Sequence, residues 1–150
     1  MGESTHTEQE ANDATNEFIR IAKEIKRNHL NSTISLDLSH IGLAISEELC
    51  LKNLNLICDV SNKTNIEVLI SAEGVERTDA VINTYKKTCK KYENLSITLQ
   101  AYLHRMKDDF KDLIKEQGRI RIVKGAFATP EGLSIPRGEK LDEIYLGYID

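Results

Sequence analysis

Only three cysteines occur among the 150 residues, Cys50, Cys58 and Cys89, and no two of them form a CxxC pair. All three fall in segments with helical periodicity, so they read as buried reduced thiols of a reducing, cytosol-like compartment. The four histidines, His6, His29, His40 and His104, have no spacing that builds a common zinc motif. No glycine-rich phosphate loop of the GxGxxG or Walker type is present, and neither is a nucleophile elbow or a metalloprotease signature. The chain lacks any stretch resembling a signal peptide, and its apolar runs are only a few residues long, too short for a membrane span. An excess of basic charge is also missing: the net charge is −4 and the pI about 5.6, which leaves no electrostatic footprint for nucleic acid. Gly2 opens no myristoylation motif, because His6 stands where Ser or Thr is wanted. The sequon-like triplets at Asn31, Asn62 and Asn94 are expected to be chance matches, and no low-complexity tract or domain linker interrupts the chain.

What is there is an ordinary globular composition, 40% hydrophobic and 29% charged, of a length that suits one domain. From about Thr7 to Arg27, Ala11, Ala14, Phe18, Ala22 and Ile25 recur at helical spacing and predict a helix with one buried stripe. Thr33–Leu38 reads as a short strand. Ser46 with Glu47 and Glu48 gives an N-cap and an acidic first turn for a helix running through Leu49, Leu56, Ile57 and Val60. Ile66–Ser71 is a second strand, Thr78–Tyr92 a third helix, Leu95–Ala101 a third strand and Met106–Gln117 a fourth helix, with Gly118 as its C-terminal cap. Arg119–Gly125 is the fourth strand. A loop with Pro130 and Pro136 then leads to an amphipathic segment bearing Leu141, Ile144, Tyr145 and Tyr148. Strands separated by single helices imply an α/β fold with parallel neighbours and right-handed crossovers. The strand interiors look nearly all apolar, as expected when both faces are covered. A doubly wound sheet and a barrel both fit this order.

In parallel α/β proteins chemistry collects at the C-terminal strand ends. The first strand offers Asp37, Ser39 and His40 there, and the second Ser71 and Glu73. The third offers Gln100, Tyr102, His104 and Arg105, and the fourth Arg121 and Lys124. A polar side chain inside such a strand is costly unless it is paired or reaches a ligand. Arg121, set among Ile120, Ile122 and Val123, is the clearest case: it either pairs with Asp37 or Glu73 across the sheet or meets a ligand.

Ile97–Arg105 (ITLQAYLHR) and Arg121–Phe127 (RIVKGAF) together resemble two signature strands of the proline dehydrogenase family. Pro136–Tyr145 (PRGEKLDEIY), Ser35–Leu43 (SLDLSHIGL) and Glu3–Ala11 (ESTHTEQEA) extend the resemblance over nearly the whole chain. The resemblance implies a (β/α)8 TIM-type barrel holding FAD, of which this chain carries about four strands. It implies that Gln100 bonds the flavin pyrimidine edge and that Arg121 lies near flavin N5. Lys124 then belongs to the cofactor-side network, Gly125 and Ala126 keep their loop close to the isoalloxazine, and Phe127 lines the proline pocket. Catalytic roles fall to Arg121 and Lys124, because positive charge near a flavin favours hydride acceptance. The implied reaction is oxidation of L-proline to 1-pyrroline-5-carboxylate, with a quinone-type electron acceptor. The implied location is cytoplasmic, peripheral to a membrane if electrons pass to quinone.

Two positions depart from the family pattern. Asp37 stands where the family has lysine, and Ser71 where it has aspartate, with Glu73 two residues on as a substitute acid. These three are the expected substrate-side residues, and the departures admit another cyclic amino acid as substrate. A (β/α)8 barrel takes ~250 residues, so residues 1–150 are expected to be a central part, with the family's first strand ending near Glu3. The resemblance implies three further strands, and a helix whose arginine pair grips the proline carboxylate, beyond the stretch that residues 1–150 match. Alternatives are a degenerate barrel without activity and a flavodoxin-like module with an open doubly wound sheet. A barrel section predicts a curved parallel sheet in sequential order with helices on one face only. Its other face is expected to be uncovered, apolar and available to a second copy.

Overall fold

The computed structural model describes residues 4–149; Glu3, which opens the first family-like stretch, lies outside them, as do Met1, Gly2 and Asp150. Helix α1 (Glu8–Arg27) starts in a capping box. The Glu10 amide donates to Thr7 Oγ1 at 3.2 Å and the Thr7 amide donates back to Glu10 Oε2 at 3.2 Å, so two of the helix's orphan donors are satisfied. Its expected stripe is the buried one, with Ala11, Ala22 and Ile25 inside. Strand β1 (Ile34–Leu36) runs into a single 3-10 turn, Leu38–Ile41. Helix α2 (Glu47–Lys63) is capped by Ser46, whose Oγ accepts from the Leu49 amide at 3.1 Å. Strand β2 (Val68–Ile70), a second 3-10 turn (Val75–Arg77) and α3 (Thr78–Cys89) follow. Then come β3 (Leu95–Gln100), α4 (Met106–Leu113), β4 (Ile120–Val123) and α5 (Glu139–Gly147).

The four strands form one parallel sheet in the order β1-β2-β3-β4. Sequential order rules out the doubly wound alternative, which needs the chain to reverse direction across the sheet. All five helices send side chains into the same core cluster, among them Ala22, Leu54, Ile57, Tyr85, Leu113 and Leu141. From the strands that cluster takes Ile34, Leu36, Val68, Ile70, Leu95, Ile97 and Leu99, with Ile120 and Ile122 packed against it. These strand residues alternate, so they share one face, and the helices cover that face. Cys50, Cys58 and Cys89 are free and buried. Loss of water around the first two thiols pushes them up to about 12, which keeps them protonated and unreactive.

The other face is where the expectations need correction. It carries no helix among the described residues, as a barrel section requires, but it is polar rather than apolar. The alternate residues are Ser35, Ser96, Thr98, Gln100 and Arg121, with Leu69 and Val123 the apolar exceptions. The strands are thus not apolar throughout: β3 alternates strictly, and its Ser96, Thr98 and Gln100 are buried by hydrogen-bonded neighbours. A polar face gives a second copy little to bury, which removes the hydrophobic drive for the expected self-association. The fourth helix is also shorter than its periodicity suggests. It ends at Leu113, with Ile114 as its cap. Gly118 serves the entry to β4 instead: its φ is +91° and an added Cβ would stand 2.0 Å from the Leu95 carbonyl oxygen.

Candidate functional site

The register assembles the site. Thr98 on β3 faces Arg121 on β4, and Leu36 faces Ile70, which faces Ile97. Continuing the pairing by one residue sets Asp37, Ser71, Thr98 and Arg121 in one row across the polar face, near the C-terminal ends of the strands. Asp37 keeps an extended backbone (φ −93°, ψ 133°) before the 3-10 turn and gives it no side-chain cap. The Ser71 amide donates to the Leu36 carbonyl at 2.9 Å, and Ser71 Oγ shares a 3.0 Å hydrogen bond with Ser35 Oγ. Asp37 and Ser71 therefore sit at the same rim, each one residue past the end of its strand, β1 or β2, where they were expected on the strands themselves.

Arg121 does not pair with a carboxylate among the described residues. Its Nε donates to Thr98 Oγ1 at 3.0 Å, which holds the guanidinium along the row. The distance explains the missing pair. Three strand spacings of about 4.8 Å each put Arg121 roughly 14 Å of sheet from Asp37, beyond the combined reach of the two side chains. No Lys or Arg approaches the Asp37 carboxylate within salt-bridge distance among the described residues.

Glu73 is not an exposed substrate ligand here. It is 7% exposed, and its Oε1 accepts from the Ser39 amide at 3.0 Å. Arg77 Nη1 stands 3.8 Å from Oε2, which has no hydrogen bond. Gln100 is buried at the end of β3, and its Nε2 donates to the Glu73 carbonyl at 3.1 Å. Gln100 and Arg121 lie on adjacent strands and on the same face, two residues apart in register.

Lys124 is turned elsewhere. Its Nζ pairs with Asp142 on α5 at 2.7 Å and lies 5.7 Å from the centre of the Tyr145 ring. Gly125 (φ +120°) is required by close approach: a Cβ there would meet the Tyr102 ring at 2.3 Å. Tyr102 fastens the same loop, its amide donating to the Lys124 carbonyl at 2.9 Å and its hydroxyl to the Phe127 carbonyl at 3.1 Å. Ala126 and Phe127 are exposed at its tip.

Neither of two spaces beside the helices gathers the expected site residues into a pocket of ligand size. The cavity between α3 and β3 holds about 30 Å³, far below the few hundred Å³ of a cofactor or substrate pocket. A groove of about 430 Å³ between α4 and α5 is lined by Ala101, His104, Ile135 and Tyr148 and contains none of the expected site residues. The open polar face is thus the place where the candidate residues converge. Sequence reasoning missed Ser35 and Thr98 on it. The alternation of Ser96, Thr98 and Gln100 within β3 was the available signal.

The family model of proline dehydrogenase matches residues 1–134. The chain belongs to the proline dehydrogenase family. It is 34% identical to proline dehydrogenase 2 of Bacillus subtilis over 145 residues, covering 97% of this chain and 48% of that protein. To proline dehydrogenase 1 of the same organism it is 32% identical over 136 residues, or 91% of this chain and 45% of the relative. The chain thus spans about half the length of the curated relatives it matches. Among solved structures, proline utilization A from Bdellovibrio bacteriovorus, inactivated by N-propargylglycine, superposes with a TM-score of 0.72 at 18% identity. That match takes in 83% of this chain and 17% of the other. Proline utilization A of Bradyrhizobium japonicum gives a TM-score of 0.69 at 19% identity, over 83% of this chain and 15% of that one. These likenesses establish the fold as a parallel-stranded section of the (β/α)8 type. No helix of the described residues is long and apolar enough to cross a membrane.

Proposed function

We propose that the protein carrying this chain is an FAD-dependent oxidoreductase that converts L-proline to 1-pyrroline-5-carboxylate, with residues 1–150 forming a central part of its barrel. The observation that carries this reading is the row Asp37–Ser71–Thr98–Arg121, with a fixed guanidinium at one end and a carboxylate lacking a cation at the other. The residues present fit a flavin. Arg121 Nη1 and Nη2 have no hydrogen bond among the described residues, and the buried Gln100 amide lies beside them on the same face. When bound, FAD supplies a two-electron acceptor at its N5.

The chain's own residues then divide the work. Thr98 aims Arg121, whose fixed positive charge favours arrival of negative charge on the ring edge at no cost of reorganisation. Gln100 offers amide groups to the pyrimidine edge. At the other end of the row, Asp37 accepts hydrogen bonds from the substrate amine. Proline loses a hydride from the ring carbon beside nitrogen, the nitrogen gives up a proton, and a C=N bond forms. Asp37 stands where that proton leaves, and Ser71 adds a neutral hydrogen bond. Phe127 gives the pocket an apolar wall. Lys124 joins the cofactor side once Asp142 releases it. A quinone-type molecule accepts the electrons, and the protein is cytoplasmic.

The test is made on the full-length protein. It is expected to purify with a flavin absorption spectrum that proline bleaches under anaerobic conditions. Arg121→Ala removes an oriented charge at the acceptor and is expected to slow flavin reduction at least 100-fold in stopped flow, with the unfolding midpoint little changed. Absence of flavin, or an unaltered reduction rate in Arg121→Ala, overturns the reading.

A further inference from the structure

Three strand ends of this sheet are tied together through Glu73, a residue that the proposed reaction does not use directly. Its carboxylate accepts the Ser39 amide from the turn after β1 at 3.0 Å. Its main-chain carbonyl accepts Gln100 Nε2 from the end of β3 at 3.1 Å. Ser39 in turn accepts, on its own carbonyl, the Thr5 amide at 3.1 Å and Thr5 Oγ1 at 3.2 Å. The chain of contacts Thr5–Ser39–Glu73–Gln100 thus runs along the C-terminal rim from the segment before α1 to β3.

The arrangement is costly. The Glu73 side chain is 6% exposed, its nearest cation is 3.8 Å away, and Oε2 is buried without a hydrogen bond. Burying a carboxyl group with so little compensation is unfavourable relative to leaving it exposed. Its packing is loose as well, since the cavity of about 30 Å³ lies against it and against Gln100. Burial alone would be met better by an apolar side chain, so the carboxylate has to be accounted for by what it holds in place.

We infer that Glu73 is a positioning residue: it fixes the turn that carries Asp37 and the segment that orients the Gln100 amide, and so sets the substrate and cofactor ends of the row relative to each other. The geometric part stands by itself, and its consequence for flavin and substrate rests on the reading proposed above. Fixing both ends through one rigid residue is what reacting groups at about van der Waals separation demand, where a displacement of roughly 1 Å costs rate.

The experiment uses the 150-residue chain with Glu73→Ala and Glu73→Gln, read by amide exchange and side-chain NMR. Glu73→Ala is expected to raise the Ser39 amide exchange rate at least tenfold. It is also expected to shift the Gln100 side-chain amide signals, because the segment presenting the Glu73 carbonyl loses its anchor to Ser39, while the amides of α2 and α3 keep their protection. Glu73→Gln retains an oxygen for the Ser39 amide and is expected to stay within threefold of the parent at Ser39, with Gln100 unmoved. Rescue by glutamine separates positioning from a general loss of stability, which would lower protection in all elements together. Unchanged Ser39 exchange and Gln100 signals in Glu73→Ala overturn the inference whether or not flavin binds. In the full-length protein, Glu73→Ala is expected to weaken FAD binding at least tenfold and Glu73→Gln less than threefold. Equal affinity in the alanine variant overturns the functional half. Absence of flavin from the parent protein itself counts against the proposed reaction and leaves the NMR result to decide on Glu73.

Discussion

Asp37 and Glu73 are both acids near the C-terminal rim, and their environments assign them opposite tasks. Glu73 is buried and committed to the Ser39 amide, whereas Asp37 is half-buried and has no cation within salt-bridge distance among the described residues. Only the second is open to a cation from outside the chain. On the function proposed above, Asp37→Asn in the full-length protein removes a charge-assisted hydrogen bond to the substrate amine worth about 1.5–3 kcal/mol. It is expected to raise KM for proline roughly tenfold or more. Steady-state kinetics on the pair decide the matter; an unchanged KM in Asp37→Asn places the amine elsewhere. Arg121 was legible in the sequence because a charge flanked by Ile120, Ile122 and Val123 asks for a partner, and Gln100 because it stands at the C-terminal end of a parallel strand. The absence of an Arg121–Asp37 pair was not legible, because strand order and the width of sheet between the two are tertiary facts.

At the scale of elements, strands and helices could be read from periodicity, but the ends could not. The strand beginning at Thr33 was expected to run on to Leu38, yet β1 stops at Leu36 because Leu38–Ile41 coils into a 3-10 turn that buries Leu38 and Ile41. Gly118 was readable as a special glycine, and its reason was hidden: the Leu95 carbonyl lies where a Cβ would go. Equally hidden was the tie at the N-terminal ends of the strands. Glu67 accepts Thr33 Oγ1 at 3.1 Å from the approach to β1, Ser96 Oγ at 2.6 Å from β3, and a two-pronged guanidinium from Arg119 just before β4. The Arg119 hydrogen bonds, with those of Ser96 and Thr33, hold the Glu67 carboxyl down to about 2 from 4.5. Because the folded value is the lower one, the stabilisation is complete above about 4.5 and is lost as pH falls toward 2. Arg119 is largely exposed, so screening reduces the contribution to on the order of 1–2 kcal/mol. Glu67→Gln is therefore expected to lower the unfolding midpoint at pH 7 by several degrees and to narrow the gap to the parent as the solution is acidified to pH ~3. Thermal melts at the two pH values check it, and an equal gap at both shows that the ion pair contributes nothing.

For the whole molecule, the question is what completes a four-stranded sheet whose edges, β1 and β4, have no strand partner among the described residues. Two copies would supply eight strands, and joining β4 of each to β1 of the other would close a parallel barrel on a twofold axis. The helices argue against it. In a (β/α)8 barrel one helix covers each groove between neighbouring strands. This chain has α1 ahead of β1 and α5 beyond β4, so at each new β4–β1 seam the α5 of one copy and the α1 of the other would claim the same groove. Neither can withdraw cheaply: α1 buries Ala11, Ala22 and Ile25, and α5 buries Leu141 and holds Lys124 through Asp142. The 150-residue chain is accordingly expected to sediment at its own mass of 17.0 kDa at micromolar concentration. Cysteines placed on the β1 and β4 edges are expected not to cross-link between copies. A dimer joined by that cross-link would show that the two copies can share the seam, and that one terminal helix leaves its groove to allow it.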